Sequence, residues 1–293
     1  MGNIWKWFVL VLFLAGCGGN NDAPIPTPDP SPPPYTGETC MSANALLLAG
    51  GTPLIIVDAA KFDGTNDYML RGADLTGIAD GKSGILSFWY RVDGGDGTAR
   101  WPMSNSASVF SGIQIRHHSD NKIIVSGNNA AGTSILVMST SAITASATWL
   151  HILSSWDLAT GVLNLYVTDV SDKTVVTNTN DTIDYAAAAA LNWSIGSNAG
   201  GTNKINGCLA EFYFAPNQYL DFSDVNNRRK FISAGGKPVH LGVDGSLPTG
   251  TAPIIYQHLD NGEAVANFAT NRGTGGNFTI TGTLDTASTS PSD

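Results

Sequence analysis

The chain has 293 residues, 42% of them hydrophobic and only 13% charged, with a formal net charge of −9. Such a length holds one large all-β domain or two small ones, and the hydrophobic share excludes global disorder. The acidic balance excludes a nucleic-acid partner, which needs a basic footprint; the densest cationic run is only Arg228-Arg229-Lys230. Few charges with plentiful Gly, Ser, Thr and Asn describe the surface of a secreted, β-rich protein.

At the N-terminus one cation, Lys6, precedes the apolar run Trp7 to Leu14. That run is far below the ~20 residues needed to cross a bilayer as a helix, but it suits a signal-peptide core. It closes in Leu14-Ala15-Gly16-Cys17, which resembles the lipobox of bacterial lipoproteins. The resemblance implies that residues 1–16 are removed and that the Cys17 thiol carries lipid, giving a membrane anchor. An ordinary secretory signal with a chance cysteine is the alternative. Met1-Gly2 does not make a myristoylation site, because position 6 is Lys. Gly18 rather than Asp after the cysteine favours, by the same resemblance, the outer membrane of a Gram-negative envelope.

Residues 17–41 show no hydrophobic periodicity, and Pro24 to Pro34 hold seven of the 14 prolines. Such a run extends as polyproline II at ~3.1 Å per residue and spaces a folded domain from its anchor. Two cysteines remain, Cys40 and Cys208. An oxidising compartment permits them to pair, a closure that stabilises by about 4–5 kcal/mol in the chain-entropy view. The other reading is two small buried hydrophobes.

From residue 42 to 293 the punctuation by Gly, Asn, Asp and Ser is that of short strands. Strands are predicted near 44–48, 54–57, 67–71, 84–92, 108–117, 121–126, 134–138, 149–156, 161–168, 191–197, 207–214 and 277–283. Period-two alternation places Leu86, Phe88, Tyr90 and Val92 on one face, against Ser87, Trp89 and Arg91 on the other. Leu163, Leu165 and Val167 share a face in the same way. One short helix is predicted over Asp224 to Ile232, with Ser223 as N-cap. A dozen strands with almost no helix predict an all-β, two-sheet antiparallel sandwich.

Three segments in order carry a resemblance: Phe62-Asp63-Gly64-Thr65-Asn66-Asp67-Tyr68, Trp149-Leu150-His151 followed by Tyr166-Val167, and Gly207-Cys208-Leu209-Ala210-Glu211-Phe212. They resemble the laminin G-like domains of the concanavalin A-like lectin/glucanase superfamily, which implies a jelly roll. Residues 236–256 and 268–284 resemble the C-terminal segment of laminin G-like proteins in tailed phages and prophages, and 234–293 is expected to extend the same domain. Many laminin G-like domains bind Ca²⁺ at a sandwich rim. The resemblance points to Asp63, Asn66 and Asp67 in one turn, with Glu211 on a strand the family places nearby. The other reading is that Asp63 and Asn66 cap a tight turn.

A catalyst is not expected. The paired strand carboxylates of a retaining glycosidase are absent, as are a G-x-S-x-G elbow, an H-E-x-x-H helix and a phosphate loop. Sugar binding needs an exposed aromatic platform, and Trp101, in the polar stretch 93–106, is the first candidate, with Trp89 second. Trp149, Trp156 and Trp193 have apolar neighbours and read as core. The sequence therefore points to a non-catalytic binding module on a cell envelope, with a glycan or a surface protein as ligand. A phage-encoded structural or interaction protein, virion-associated or displayed on the host, is the alternative, and a glycoside hydrolase of the same fold comes third.

Overall fold

The computed structural model describes residues 56–106, 112–186 and 193–293. Cys17, Cys40, the proline-rich stretch and the expected strand at 44–48 lie outside them. In chain order the strands are β1 (Ala60–Asp63), β2 (Tyr68–Leu70), β3 (Ser83–Val92), β4 (Arg100–Ser104), β5 (Ile113–His117), β6 (Lys122–Asn128), β7 (Ser134–Ala142) and β8 (Leu150–Asp157). They continue as β9 (Val162–Val167), β10 (Val170–Ser171), β11 (Thr174–Asn178), β12 (Ser194–Ile195), β13 (Asn206–Pro216), β14 (Ile255–Gln257), β15 (Thr279–Thr281) and β16 (Asp285–Thr286). The helix α1 spans Val225–Arg228.

One antiparallel sheet has the order β10-β9-β8-β3-β13-β1-β16, with β14 also on β13; the other runs β11-β7-β6-β5-β4-β12-β2-β15. The alternating faces explain the packing. Leu86, Phe88, Tyr90 and Val92 point between the sheets, where they meet Ile115, Val125 and Met138 from the opposite sheet. Leu163 and Leu165 join them, and Val167 packs against them.

The other face of the first sheet is covered as well. Ile85, Leu153 and Tyr213 pack under Phe222, Phe231, Val239, Leu241 and Tyr256. Trp89 lies with Val57, Ala59, Ala210 and Ile232. The residues after β13 therefore roof the sheet, and β3 is buried on both sides. Their last part returns to a sheet edge, where β15, in the stretch 277–283 predicted as a strand, pairs with β2.

Two local expectations need correction. The helix is one turn long and its N-cap is Asp224, whose carboxylate accepts from Asn226 N, while Ser223 N is itself held by Asp221. Residues 100–104 form β4 instead of a loop. Pro102, which cannot donate to a ladder, falls where the register with β5 shifts between Arg100 and Met103.

Candidate functional site

β3 ends and β13 begins at one rim of the sandwich, joined by Asp93 N donating to Asn206 O at 3.1 Å. The loop 93–99 crosses this rim. The neighbouring loop is tied down by Ser146 N to Val92 O at 2.8 Å and by Ala145 N to both oxygens of Asp96 at 3.0 and 3.2 Å. A cleft opens on each side of loop 93–99.

The first cleft, about 520 Å³, is lined by Arg91, Asp93, Ser146 and Thr289 among others. Arg91 stands on the roofed face of β3 and grips Asp93 with two bonds, Nε to Oδ1 at 2.7 Å and Nη2 to Oδ2 at 3.1 Å. Its Nη1 donates to Thr289 Oγ1 at 2.6 Å, and its guanidinium lies 5.6 Å from the centre of the Trp149 ring. Trp149 Nε1 donates to the same hydroxyl at 3.2 Å. The Asp93 hydrogen bond, against the opposing effect of burial, raises the Arg91 pKa further, so the cation is permanent. Trp149 is only partly buried. A fixed ion pair and a hydroxyl thus line an open cleft, and the Trp149 indole is bonded to that hydroxyl. The volume falls in the range of about 300–1,000 Å³ usual for small-ligand sites.

The second cleft, about 410 Å³, lies between Thr98, Arg100, Thr202, Asn203, Lys204 and Asn206.

The residues expected to bind sugar are elsewhere. Trp89 is 2% exposed and packs on the His151 ring at 4.8 Å. Trp101 is 7% exposed in β4, its Nε1 facing Gln114 Oε1 at 3.5 Å. Neither ring offers a free face, because β3 is roofed and residue 101 belongs to a strand. Trp149, read from the sequence as core, is the aromatic at the rim. Its apolar neighbours Leu150 and Ile152 hid the fact that Trp149 and Leu150 point to opposite faces. Trp156 and Trp193 are core as expected.

The Asp63 turn also reaches this rim, where Asp63 is level with Asn206. Asp63 Oδ1 accepts from Thr65, Asn66 and Asp67 N at 2.7, 3.0 and 3.3 Å. Burial opposes but these backbone bonds lower the Asp63 pKa. Asp67 accepts from Asp63 N at 3.1 Å and Thr283 N at 2.8 Å. With its amide turned to donate, Asn66 bridges Asp67 Oδ1 and Asp63 Oδ2 at 3.1 and 3.0 Å. Glu211 is not part of this set. It sits five residues further along β13, roughly 16 Å away at ~3.3 Å per residue, and accepts from Tyr256 and His258. Among the described residues no group of three or more His, Cys, Asp or Glu could hold a metal. The backbone N–H groups on Asp63 Oδ1 are those of a capped turn, and Glu211, expected to complete a Ca²⁺ site, lies apart from it.

Cys208 is fully buried beside Arg91 Nη2 at 3.2 Å, and burial pushes its thiol up to about 12. Its proposed partner Cys40 lies outside the described residues. A Ser87–His151 contact at 2.8 Å has the look of a nucleophile and base, but both residues are sealed under Trp89. Burial holds His151 down at about 3, so it stays neutral and out of reach of substrate.

Two antiparallel sheets in this order define a concanavalin A-like sandwich. Residues 63–217, just over half of the chain, match the laminin G family of the concanavalin A-like lectin/glucanases superfamily (Laminin_G_3), and the chain belongs to that family. No curated protein matches it. Among solved structures, a protein of Bacteroides ovatus described as a candidate carbohydrate-binding protein is 15% identical, with a TM-score of 0.48. The match covers 80% of this chain and 60% of that one. Domains LG4-5 of the mouse laminin alpha1 chain are 15% identical over 58% of this chain and 44% of that, with a TM-score of 0.37. The NanB sialidase of Streptococcus pneumoniae is 13% identical over 57% of this chain and 26% of that, with a TM-score of 0.40. At such identities the likeness is one of fold alone.

Proposed function

We propose that the chain is a non-catalytic envelope module that binds a glycan at the first rim cleft. The observation that carries this reading is the joint grip of Arg91 and Trp149 on Thr289 beside Asp93, which ties a partly buried indole to two residues that line the cleft. Asp93 is the sole carboxylate lining that cleft, whereas a retaining glycosidase needs two about 5–5.5 Å apart. Screening the full chain on a glycan array, with titration of the hits, tests the reading. Trp149→Ala should weaken binding about tenfold through loss of the stacking surface. Silence across the array, or an unchanged affinity in Trp149→Ala, overturns the reading.

The envelope placement rests on Leu14 to Cys17 and the proline-rich spacer. Intact mass spectrometry in a bacterial host should find a chain starting at Cys17 with added lipid, and Cys17→Ser should leave an unlipidated precursor. A lipid-free wild-type chain overturns the anchor. Residues 236–256 and 268–284, which resemble segments of phage-borne proteins, contribute to the roof and to the edge strand β15.

A further inference from the structure

The sequence holds two Asn-Gly pairs, Asn206-Gly207 and Asn261-Gly262. In such a pair no Cβ shields the glycine nitrogen from the asparagine side chain. Where the local backbone is free to turn, that nitrogen can attack the side-chain amide and expel ammonia. The fold treats the two pairs differently.

Asn206-Gly207 opens β13 inside a sheet. Gly207 stands opposite Val92 on one side and Phe62 on the other, and Asn206 O accepts from Asp93 N. A Cβ on Gly207 would fall 2.2 Å from Arg91 O, so this backbone has no room to turn. Asn261-Gly262 sits instead in an exposed turn, closed by Glu263 N donating to Asp260 O at 3.0 Å. Gly262 has φ +79°, and a Cβ on it would meet no atom within 4 Å. Its N–H donates to Asp58 Oδ2 at 2.7 Å, a solvent-exposed bond that opens without unpairing a strand.

We propose that Asn261 is a site of spontaneous deamidation and isoaspartate formation, with water as the co-reactant. The Gly262 nitrogen gives its proton to solvent and bonds to Asn261 Cγ. The Cγ–Nδ2 bond breaks, and the departing nitrogen takes up a proton and leaves as ammonia. Water then opens the cyclic imide at one of its two carbonyls. Opening at Cγ yields aspartate. Opening at the main-chain carbonyl yields isoaspartate, in which the chain runs on through Cβ and Cγ. Water is consumed, ammonia is released, and a neutral amide becomes a carboxylate.

The position gives the change a consequence. Asp260 and Glu263 flank the pair and bond Arg272 at 3.2 and 2.7 Å, and Asp260 N donates to Glu263 Oε2 at 3.0 Å. An isoaspartyl link lengthens the turn between them and breaks the bond from Glu263 N to Asp260 O. The new carboxylate adds a further negative charge beside both acids.

The test ages the purified full chain in warm, mildly alkaline buffer, then maps its peptides by mass spectrometry. A methyltransferase specific for isoaspartate labels the product. In the folded chain conversion should appear at Asn261 and not at Asn206; in denaturant it should appear at both. The aged wild type should melt roughly 2–4 °C lower, as the loss of about one hydrogen bond implies. Asn261→Ser should carry no label at this position and keep its melting temperature on ageing. Four results overturn the inference: an unchanged Asn261 in the aged folded chain, an Asn206 that converts as fast in that chain, an Asn206 that stays intact in denaturant, or an aged Asn261→Ser that melts as low as the aged wild type.

Discussion

Glu211 is a buried carboxylate in the left-handed region, φ +48°, where a side chain costs about 1–2 kcal/mol. It marks the point at which β13 changes partner, from β1 over residues 206–209 to β14 over 212–214. Its oxygens accept from the Tyr256 hydroxyl at 3.0 Å and from His258 Nδ1. His258 Nε2 reaches Asp260 at 2.9 Å, and Arg272 closes the set by bonding Asp260 and Glu263 at 3.2 and 2.7 Å. Burial opposes the imidazolium, but the hydrogen bond and charge of Glu211, with help from Asp260, raise the His258 pKa on balance. The stabilisation is therefore complete below the ordinary histidine value of 6.5 and is lost as pH rises through the higher folded value. Asp260 behaves oppositely. Burial raises it, but bonding to His258 and the nearby cations lower it on balance, so its contribution disappears as pH falls below the ordinary 3.8. The melting temperature should decline as pH rises above 6.5 and through the higher folded value of His258, and His258→Gln should flatten that decline. Parallel pH profiles for both proteins would remove His258 from the account. The strained glutamate was invisible in the sequence, which placed Glu211 on a strand but could not show which strand end faced it. Trp149 and Trp101 exchanged roles for a related reason: alternation tells which residues share a face, not whether that face is covered.

At the scale of elements, the strands with clear alternation were legible: β3, β8, β9 and β13 were expected within two residues of their observed ends. β4, β11 and β14 were not. Arg100-Trp101-Pro102-Met103-Ser104 carries a proline that only a register shift accommodates. β11 also needs a shift, between Val175 and Thr177, to pair with β7. Neither shift has a local signature. The stretch 234–259 reads in the sequence as part of an extension of the same domain, but its role as a roof is not readable from residues that lack periodicity. That roof yields a sharp expectation. A chain ended at Asn217, where the family match ends, would uncover Ile85, Trp89, Leu153 and Tyr213. At roughly 1.5–3 kcal/mol for each large apolar side chain, the loss rivals the about 5–15 kcal/mol that holds a typical domain together. Such a chain should aggregate or bind a hydrophobic dye strongly. A soluble, cooperatively melting chain ending at 217 would show that the roof is dispensable.

For the molecule as a whole, the sheet order carries a consequence in time. Among the described strands β1 is the first to be synthesised, yet it pairs with β13 at residues 206–209 and with β16 at 285–286. Val57, just ahead of it, is held by the Ser292 hydroxyl at 3.0 Å. At about 5–20 residues per second, roughly 7–29 s pass before the first of those partners exists and roughly 11–45 s before the second. Throughout that interval Ala60-Lys61-Phe62 is an unpaired edge with an aromatic that belongs in the core. Among the described strands the first to be made is among the last to be paired, so its edge stays exposed until residues 206–209 and 285–286 have been made.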